Sequence, residues 1–153
     1  MTPGGEFVVV GGKLDPHVTA YSVENIKKAI SEQNFEGKDE FGVPILKYDA
    51  CLEAHIQTGL GPLHSVFDDK GNAYTSMFLS SEIVKWSLTD FTVLDRIPTY
   101  YSIGHLSIPG GDTKKTFGKY VIALNKITKD RYLPTGPELT QSAQLYSIEG
   151  DKM

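Results

Sequence analysis

The stretch "GPLHSVFDDKGNAYTSMFLSSEIVKW" (residues 61–86) decides the fold class of this 153-residue chain. Short runs of aromatic, aliphatic and β-branched residues alternate in it with tight polar turns, and such runs favour β-strands. The turn "DKGN" (69–72) is typical of a β-hairpin. With the run that follows, the stretch predicts four strands, over 63–68, 73–79, 82–88 and 91–97. Four short antiparallel strands in about 35 residues form one blade of a β-propeller.

The same pattern starts again near residue 104, and part of it precedes residue 61. Strands are predicted in "FVVV" (7–10), "PHVTAYS" (16–22), "GHLSIP" (104–109), "KYVIALNK" (119–126) and "AQLYSIEG" (143–150). The loop "DRYLPTGPE" (130–138) is predicted between the last two strands. We therefore predict an all-β fold, a partial β-propeller of about three four-stranded antiparallel blades in one domain. The expected blades span roughly 1–60, 61–103 and 104–153.

A short helical insertion is predicted near residues 22–33, where the spacing of apolar residues changes. Val23, Ile26 and Ala29 lie on one face at helical spacing, and Ser22 is a suitable N-terminal cap. The polar stretch 31–44 that follows predicts an excursion over the surface, ending at Pro44.

Composition excludes several classes of protein. Hydrophobic residues make up 40% and charged residues 22%, as in soluble globular proteins. A net charge of −4 gives no reason to expect nucleic acid or an anionic membrane as a partner. No apolar run approaches the roughly 18–20 residues that span a bilayer, and no signal peptide is predicted. Cys51 is the single cysteine, so we expect neither an intrachain disulfide nor a thiolate metal site. Its side chain is expected to be buried or half-buried.

Three of the four histidines begin predicted strands after a turn that contains Gly or Pro. His105 follows His64 by 41 residues and His64 follows His17 by 47, within the roughly 40–50 residues of a propeller repeat. At equivalent positions of successive blades, their imidazoles would converge on one end of the central channel. Such a cage suits copper, zinc, iron or nickel, and not calcium or magnesium. His55 lies outside this spacing and is expected to be structural or exposed.

The residues alone leave a simpler interpretation open. A single histidine near the start of a strand is commonly a hydrogen-bonded structural residue. The chain would then be a non-catalytic propeller module that binds a partner protein. A third interpretation is a small independent β protein that binds one transition-metal ion.

At these residues the chain resembles nitrous-oxide reductase. The similarity is carried by "GGKLDPHVTAYS", "GPLHSVFDDKGNAYTSMFLSSEIVKW", "YYSIGHLSIPGGDT", "KYVIALNKITKDRYLPTGPE" and "QSAQLYSIEGDKM". It is weakest over residues 31–57. The resemblance implies the N-terminal domain of that family, a seven-bladed propeller that holds the CuZ centre, a four-copper sulfide cluster with histidine ligands. It also implies reduction of N2O to N2 and water, the last step of denitrification.

The resemblance implies partners and a location as well. The family works in the periplasm as a homodimer, and a second, cupredoxin domain with the CuA centre receives electrons from a cytochrome or a cupredoxin. That domain and four of the seven CuZ histidines have no counterpart in this sequence. The chain is therefore expected to be a fragment of the propeller that lacks activity by itself.

Site residues follow from the resemblance position by position. His17, His64 and His105 match CuZ histidines. Lys85 matches a lysine at the edge of the cluster, which implies a catalytic role, and is also associated with a nearby calcium ion. Asp90 is the candidate for a second calcium contact. The alternative for Lys85 is a solvated lysine on a strand.

Overall fold

The computed structural model describes residues 1–126, 142–150 and 152–153. The loop predicted over 130–138 lies outside them. The strands are β1 (Phe7–Gly11), β2 (His17–Ser22), β3 (Phe35–Lys38), β4 (Pro44–Leu46), β5 (Leu52–Gln57), β6 (Pro62–Phe67), β7 (Asn72–Met77), β8 (Glu82–Ser87), β9 (Val93–Pro98), β10 (Ile103–Ser107), β11 (Tyr120–Asn125) and β12 (Ala143–Ser147). The helices are α1 (Val23–Ser31) and α2 (Tyr48–Cys51).

Three antiparallel sheets form the framework, as the prediction of an all-β partial propeller requires. In sequence order their strands pair as β1-β2-β5, β6-β7-β8-β9 and β10-β11-β12. The helical insertion is also confirmed, because α1 begins after Ser22, whose Oγ accepts a hydrogen bond from Asn25 N at 3.2 Å. The prediction for residues 31–44 is wrong in one respect: β3 and β4 pair there as an exposed hairpin.

In the central sheet, strands β6, β7 and β8 are covered on both faces, which explains why they are so apolar, whereas the edge strand β9 is mostly exposed. One face packs against the first sheet through a core of Val18, Ala20, Ile56, Phe67, Ala73, Met77, Val84 and Trp86. The other face packs against the third sheet through Val66, Tyr74, Ile83, Ile103, Leu106, Ile108, Val121, Ala123 and Ile148. Face-to-face stacking of neighbouring sheets is the packing of propeller blades.

Two further expectations can be compared with the structure. Cys51 is buried at the end of α2, as expected for a small apolar side chain. Within residues 1–126, 142–150 and 152–153, neither helix has the length and hydropathy that crossing a membrane requires.

The first and second sheets correspond strand by strand, but with an offset. Thr58 N donates to Pro16 O at 3.1 Å, and Thr99 N donates to Ser81 O at 2.8 Å. Both bonds join the residue just after a sheet's last strand to the turn between two earlier strands, β1–β2 in one case and β7–β8 in the other. We infer that β1, β2 and β5 correspond to β7, β8 and β9. Among the described residues, no strand of the first sheet corresponds to β6.

This correspondence corrects the prediction that three histidines begin equivalent strands. His64 lies in β6 and His105 in β10, the first strands of their sheets. His17 begins β2, the middle strand of the first sheet, which corresponds to β8. The 47-residue interval between His17 and His64 therefore correctly predicted that His17 lies in the sheet before that of His64. It did not predict that His17 lies on a middle strand and not on a first strand.

Candidate metal sites

His64 and His105 occupy the same position in two successive sheets. Each is the third residue of its strand, and each lies at a shift in strand register. Pro62 of β6 pairs with Met77 of β7, and Ser65 pairs with Thr75, so β6 has one more residue than β7 between these two pairs. The stretch from Ile103 to Leu106 on β10 has the same irregularity against β11. An extra residue of this kind is a β-bulge, which redirects a side chain and is frequent beside functional sites.

The two bulges bring the imidazole rings together. The ring centroids of His64 and His105 are 5.4 Å apart and their planes are inclined by 51°. His64 is partly buried, whereas His105 is exposed. The two rings can therefore present nitrogen atoms to one ion or to neighbouring ions of a cluster.

A backbone amide holds the His64 ring in place. Leu106 N donates to His64 Nδ1 at 3.1 Å, so Nδ1 is an acceptor and the proton of the neutral ring lies on Nε2. Burial lowers the pKa of His64 from its ordinary value, and the neighbouring His105 lowers it further. The His64 ring is accordingly neutral at pH 7, which is the form that binds metals.

His17 belongs to a different cluster. Its ring stacks on that of His55, with 4.0 Å between centroids and 27° between planes. Asp15 Oδ1 lies 2.6 Å from His17 Nδ1 and 3.9 Å from His55 Nε2. The hydrogen bond from His17 lowers the pKa of the Asp15 carboxyl. Among the described residues, Asp15, His17 and His55 are the one group of three metal-ligating side chains whose donor atoms all lie within 4.8 Å of one another.

The structure therefore divides the predicted ligands. It brings His64 and His105 together, and it places His17 beside His55. His55 was expected to be structural or exposed, and its side chain is exposed. A sequence signal for the second cluster was present in "DPH", because an Asp two residues before a histidine at a turn can accept its N–H. The partner strand that carries His55 could not be identified from that signal.

Lys85 is buried, contrary to the alternative of a solvated lysine on a strand. It is 3% exposed on β8, where it lies opposite Tyr74 on β7 and Asp95 on β9. Its Nζ donates to Gly150 O at 3.3 Å and lies 5.9 Å from the centre of the Tyr74 ring. Met153 N also binds this region, donating to Asp95 Oδ2 at 2.9 Å. Lys85 thus helps to hold the last residues of the chain against the central sheet.

Asp90 lies in the exposed turn between β8 and β9. Its Oδ1 accepts hydrogen bonds from Thr92 Oγ1 at 2.8 Å and from Thr92 N at 3.3 Å. Hydrogen bonds from Ser87 and then Thr92 lower the pKa of its carboxyl. These contacts show that the Asp90 carboxylate stabilises the β8–β9 turn. Its role as a calcium contact stays a prediction.

Comparison with known proteins shows which family this chain is similar to. A family described as "Nitrous oxide reductase propeller repeat" matches residues 96–153, which include β10, β11 and β12. Proteins named nitrous-oxide reductase match nearly the whole chain. Those of Ralstonia nicotianae and Cupriavidus necator are 34% and 35% identical to it, each over 99% of this chain and 24% of their own length. That of Stutzerimonas stutzeri is 31% identical over 97% of this chain and 23% of its own.

The chain thus spans about a quarter of the length of the curated relatives it matches. Among solved structures, hydrazine synthase of Kuenenia stuttgartiensis aligns with a TM-score of 0.53 at 10% identity. The alignment covers 99% of this chain and 46% of that one. Similarity at so low an identity concerns the fold alone.

Proposed function

We propose that this chain, which belongs to the propeller-repeat family of nitrous-oxide reductase, supplies His64 and His105 as copper ligands for the reduction of N2O to N2 and water. The observation that carries the proposal is the convergence of the two imidazoles from matching bulges, 5.4 Å apart between ring centroids. His17 is a third ligand by resemblance only, since its contacts are with Asp15 and His55.

The donors at this position fit copper. Two neutral imidazoles are borderline ligands, suited to copper and zinc and poorly suited to calcium. Among the described residues, no thiolate or carboxylate completes a set of three ligands with them. In the family, the CuZ copper-sulfide cluster supplies the electrons that reduce N2O. Calcium enters the proposal by resemblance, at Lys85 and Asp90, of which Lys85 is buried and Asp90 lies in an exposed turn.

The protein groups have defined tasks around such a centre. His64 and His105 hold the metal, and the core beneath β6 and β10 fixes their strands. A neutral imidazole that binds a metal through one ring nitrogen carries its proton on the other. If His64 binds through Nε2, its Nδ1 carries the proton, and if it binds through Nδ1, the lone pair of Nδ1 is used by the metal. In both cases Nδ1 can no longer accept a hydrogen bond from Leu106 N. Metal binding must therefore release the Leu106 amide. The buried ammonium of Lys85 is proposed to place positive charge near the cluster's edge.

The remaining parts of the proposal concern the assembled enzyme. They include the periplasm as its location, a homodimer, and a cytochrome or cupredoxin that delivers electrons to the CuA centre. Two or three histidines from one arc of a propeller cannot enclose four copper ions. We therefore expect no N2O turnover from this chain alone, and four tightly bound coppers per chain would contradict this expectation.

Copper titration of the chain tests the ligand assignment. Under reducing conditions and in competition with a chromogenic Cu(I) chelator, we expect His64→Gln and His105→Gln each to lower the copper affinity more than about tenfold. In the wild type, we expect the Leu106 amide resonance to shift as copper is added, because it loses its acceptor. Glutamine preserves most of the side-chain volume, so circular dichroism should be unchanged.

His17→Gln serves as the comparison for the third predicted ligand. If His17 ligates the same copper, its replacement will raise the copper concentration at which the Leu106 resonance shifts, and if it does not, the Leu106 titration will be unchanged. Copper binding that is unchanged in both His64→Gln and His105→Gln would reject the proposal, and would favour a binding module with structural histidines.

A further inference from the structure

We propose that Asp15, His17 and His55 form a separate site for one divalent transition-metal ion of the Zn²⁺ type, on the outer face of the sheet β1-β2-β5. This proposal does not depend on the His64–His105 pair, and the one residue that it shares with the copper proposal is His17, which enters that proposal by resemblance alone.

The sheet itself places the two imidazoles side by side. In the antiparallel register of β2 and β5, Thr19 lies opposite His55 and His17 lies opposite Gln57. His17 and His55 are therefore diagonal neighbours on one face, close enough for large side chains to touch. The opposite face carries Val18 and Ile56, which are buried in the core. Since the core fixes that face inward, the two histidines must both point outward.

The β1–β2 turn brings the carboxylate to the same point. Gly12 N donates to His17 O at 3.1 Å, and Asp15 N donates back to Gly12 O at 3.1 Å. A Cβ at Gly12 would lie 2.8 Å from the Asp15 Cβ, so this close turn needs glycine. Pro16 O accepts from Thr58 N and Gly59 N, which ties the turn to the end of β5. The donors therefore come from ordered backbone.

The distances suit one small ion after a small adjustment. With metal–ligand bonds of about 2.0–2.2 Å in a tetrahedral site, donor atoms lie roughly 3.3 Å apart. The Asp15 Oδ1–His17 Nδ1 distance of 2.6 Å would open slightly, and the Asp15 Oδ1–His55 Nε2 distance of 3.9 Å would close slightly. The ion would replace the proton now shared by Asp15 and His17. No such set of three is found elsewhere in the parts of the chain that the structure describes.

The donor set indicates the class of ion. Two imidazole nitrogens and one carboxylate oxygen are typical ligands of Zn²⁺ and of similar borderline ions. Three protein ligands leave one tetrahedral position for water or a further donor. Because the site lies at the surface, we expect binding of moderate strength.

Zn²⁺ titration by calorimetry tests the site. The full chain with His64→Gln and His105→Gln is the starting protein, so that the other pair of histidines cannot contribute. We expect about one Zn²⁺ per chain, and a loss of affinity greater than about tenfold on adding either His55→Gln or Asp15→Asn. The amide oxygen introduced by Asp15→Asn can still accept from the His17 N–H, so the turn should keep its conformation, as circular dichroism would verify.

Glu53→Gln is the matched control. It removes an exposed carboxylate from β5, the strand that carries His55, without removing a proposed ligand. We expect this variant to bind Zn²⁺ as the starting protein does. Equal affinity in the starting protein, His55→Gln and Asp15→Asn would overturn the proposal. An equal loss in Glu53→Gln would overturn it as well, because general surface charge would then explain the binding.

Discussion

Replacing Trp86 with alanine is expected to lower the free energy of unfolding by about 3–5 kcal/mol. Trp86 lies on β8 and is fully buried in the core between the first and second sheets. Its Nε1 donates to Thr75 Oγ1 at 2.9 Å. Because natural domains are stable by only about 5–15 kcal/mol, this change should remove a large part of the total. Denaturation in urea, followed by far-ultraviolet circular dichroism, measures the difference.

Trp86→Phe is a milder change at the same position. Phenylalanine keeps part of the apolar contact, removes the N–H donor and leaves a smaller cavity than alanine does. Thr75 Oγ1 retains the Ser65 Oγ partner at 2.7 Å, so no polar atom is left unpaired. We expect a loss nearer about 1–2 kcal/mol. A loss under about 1 kcal/mol for Trp86→Ala would show that the sheets do not pack as described.

Replacing Asp68 with alanine is expected to cost about 3 kcal/mol, the second-largest effect on stability. Asp68 is 3% exposed. Its Oδ1 accepts from Lys70 N and Asn72 N, both at 2.8 Å, within the hairpin between β6 and β7. Its Oδ2 accepts from Asn72 Nδ2 at 2.8 Å and from Tyr74 Oη at 2.9 Å. Alanine would remove all four bonds and leave the buried Tyr74 hydroxyl without its acceptor.

Tyr74→Phe completes a double-mutant cycle with Asp68→Ala. Burial raises the pKa of Tyr74 far above its ordinary value, and Asp68 raises it further, so the hydroxyl remains a donor at any pH used. Once phenylalanine has removed that donor, Asp68→Ala should cost less, by about 1 kcal/mol or more. Free energies of unfolding that add within about 0.5 kcal/mol would contradict a direct Asp68–Tyr74 bond.

The strand pattern was predictable because it depends on local properties. Alternating apolar residues around "DKGN" identified the central sheet, and Ser22 identified the start of α1. The β3–β4 hairpin was missed because both of its strands are exposed almost throughout, so no buried face imposes a regular alternation. The bulges at His64 and His105 were also missed, since a register shift depends on the partner strand.

The predicted metal ligands show the limit of spacing as a guide. The intervals of 41 and 47 residues both resembled one repeat, but only the first joins equivalent positions. The longer interval includes α1, the β3–β4 hairpin and α2, so it does not measure one step of the propeller. His17 consequently faces His55 and not the His64–His105 pair.

Sequence by itself determined the fold class, the likeness to nitrous-oxide reductase and the residue types able to bind a metal. These depend on patterns within short segments and on motifs that can be compared directly. Only the tertiary structure decided which histidines meet, that Lys85 is buried, and that Asp15, His17 and His55 share one face. The reason is physical: side chains far apart in sequence become neighbours only through strand register and the stacking of sheets, and a shift of one residue turns a side chain to the opposite face.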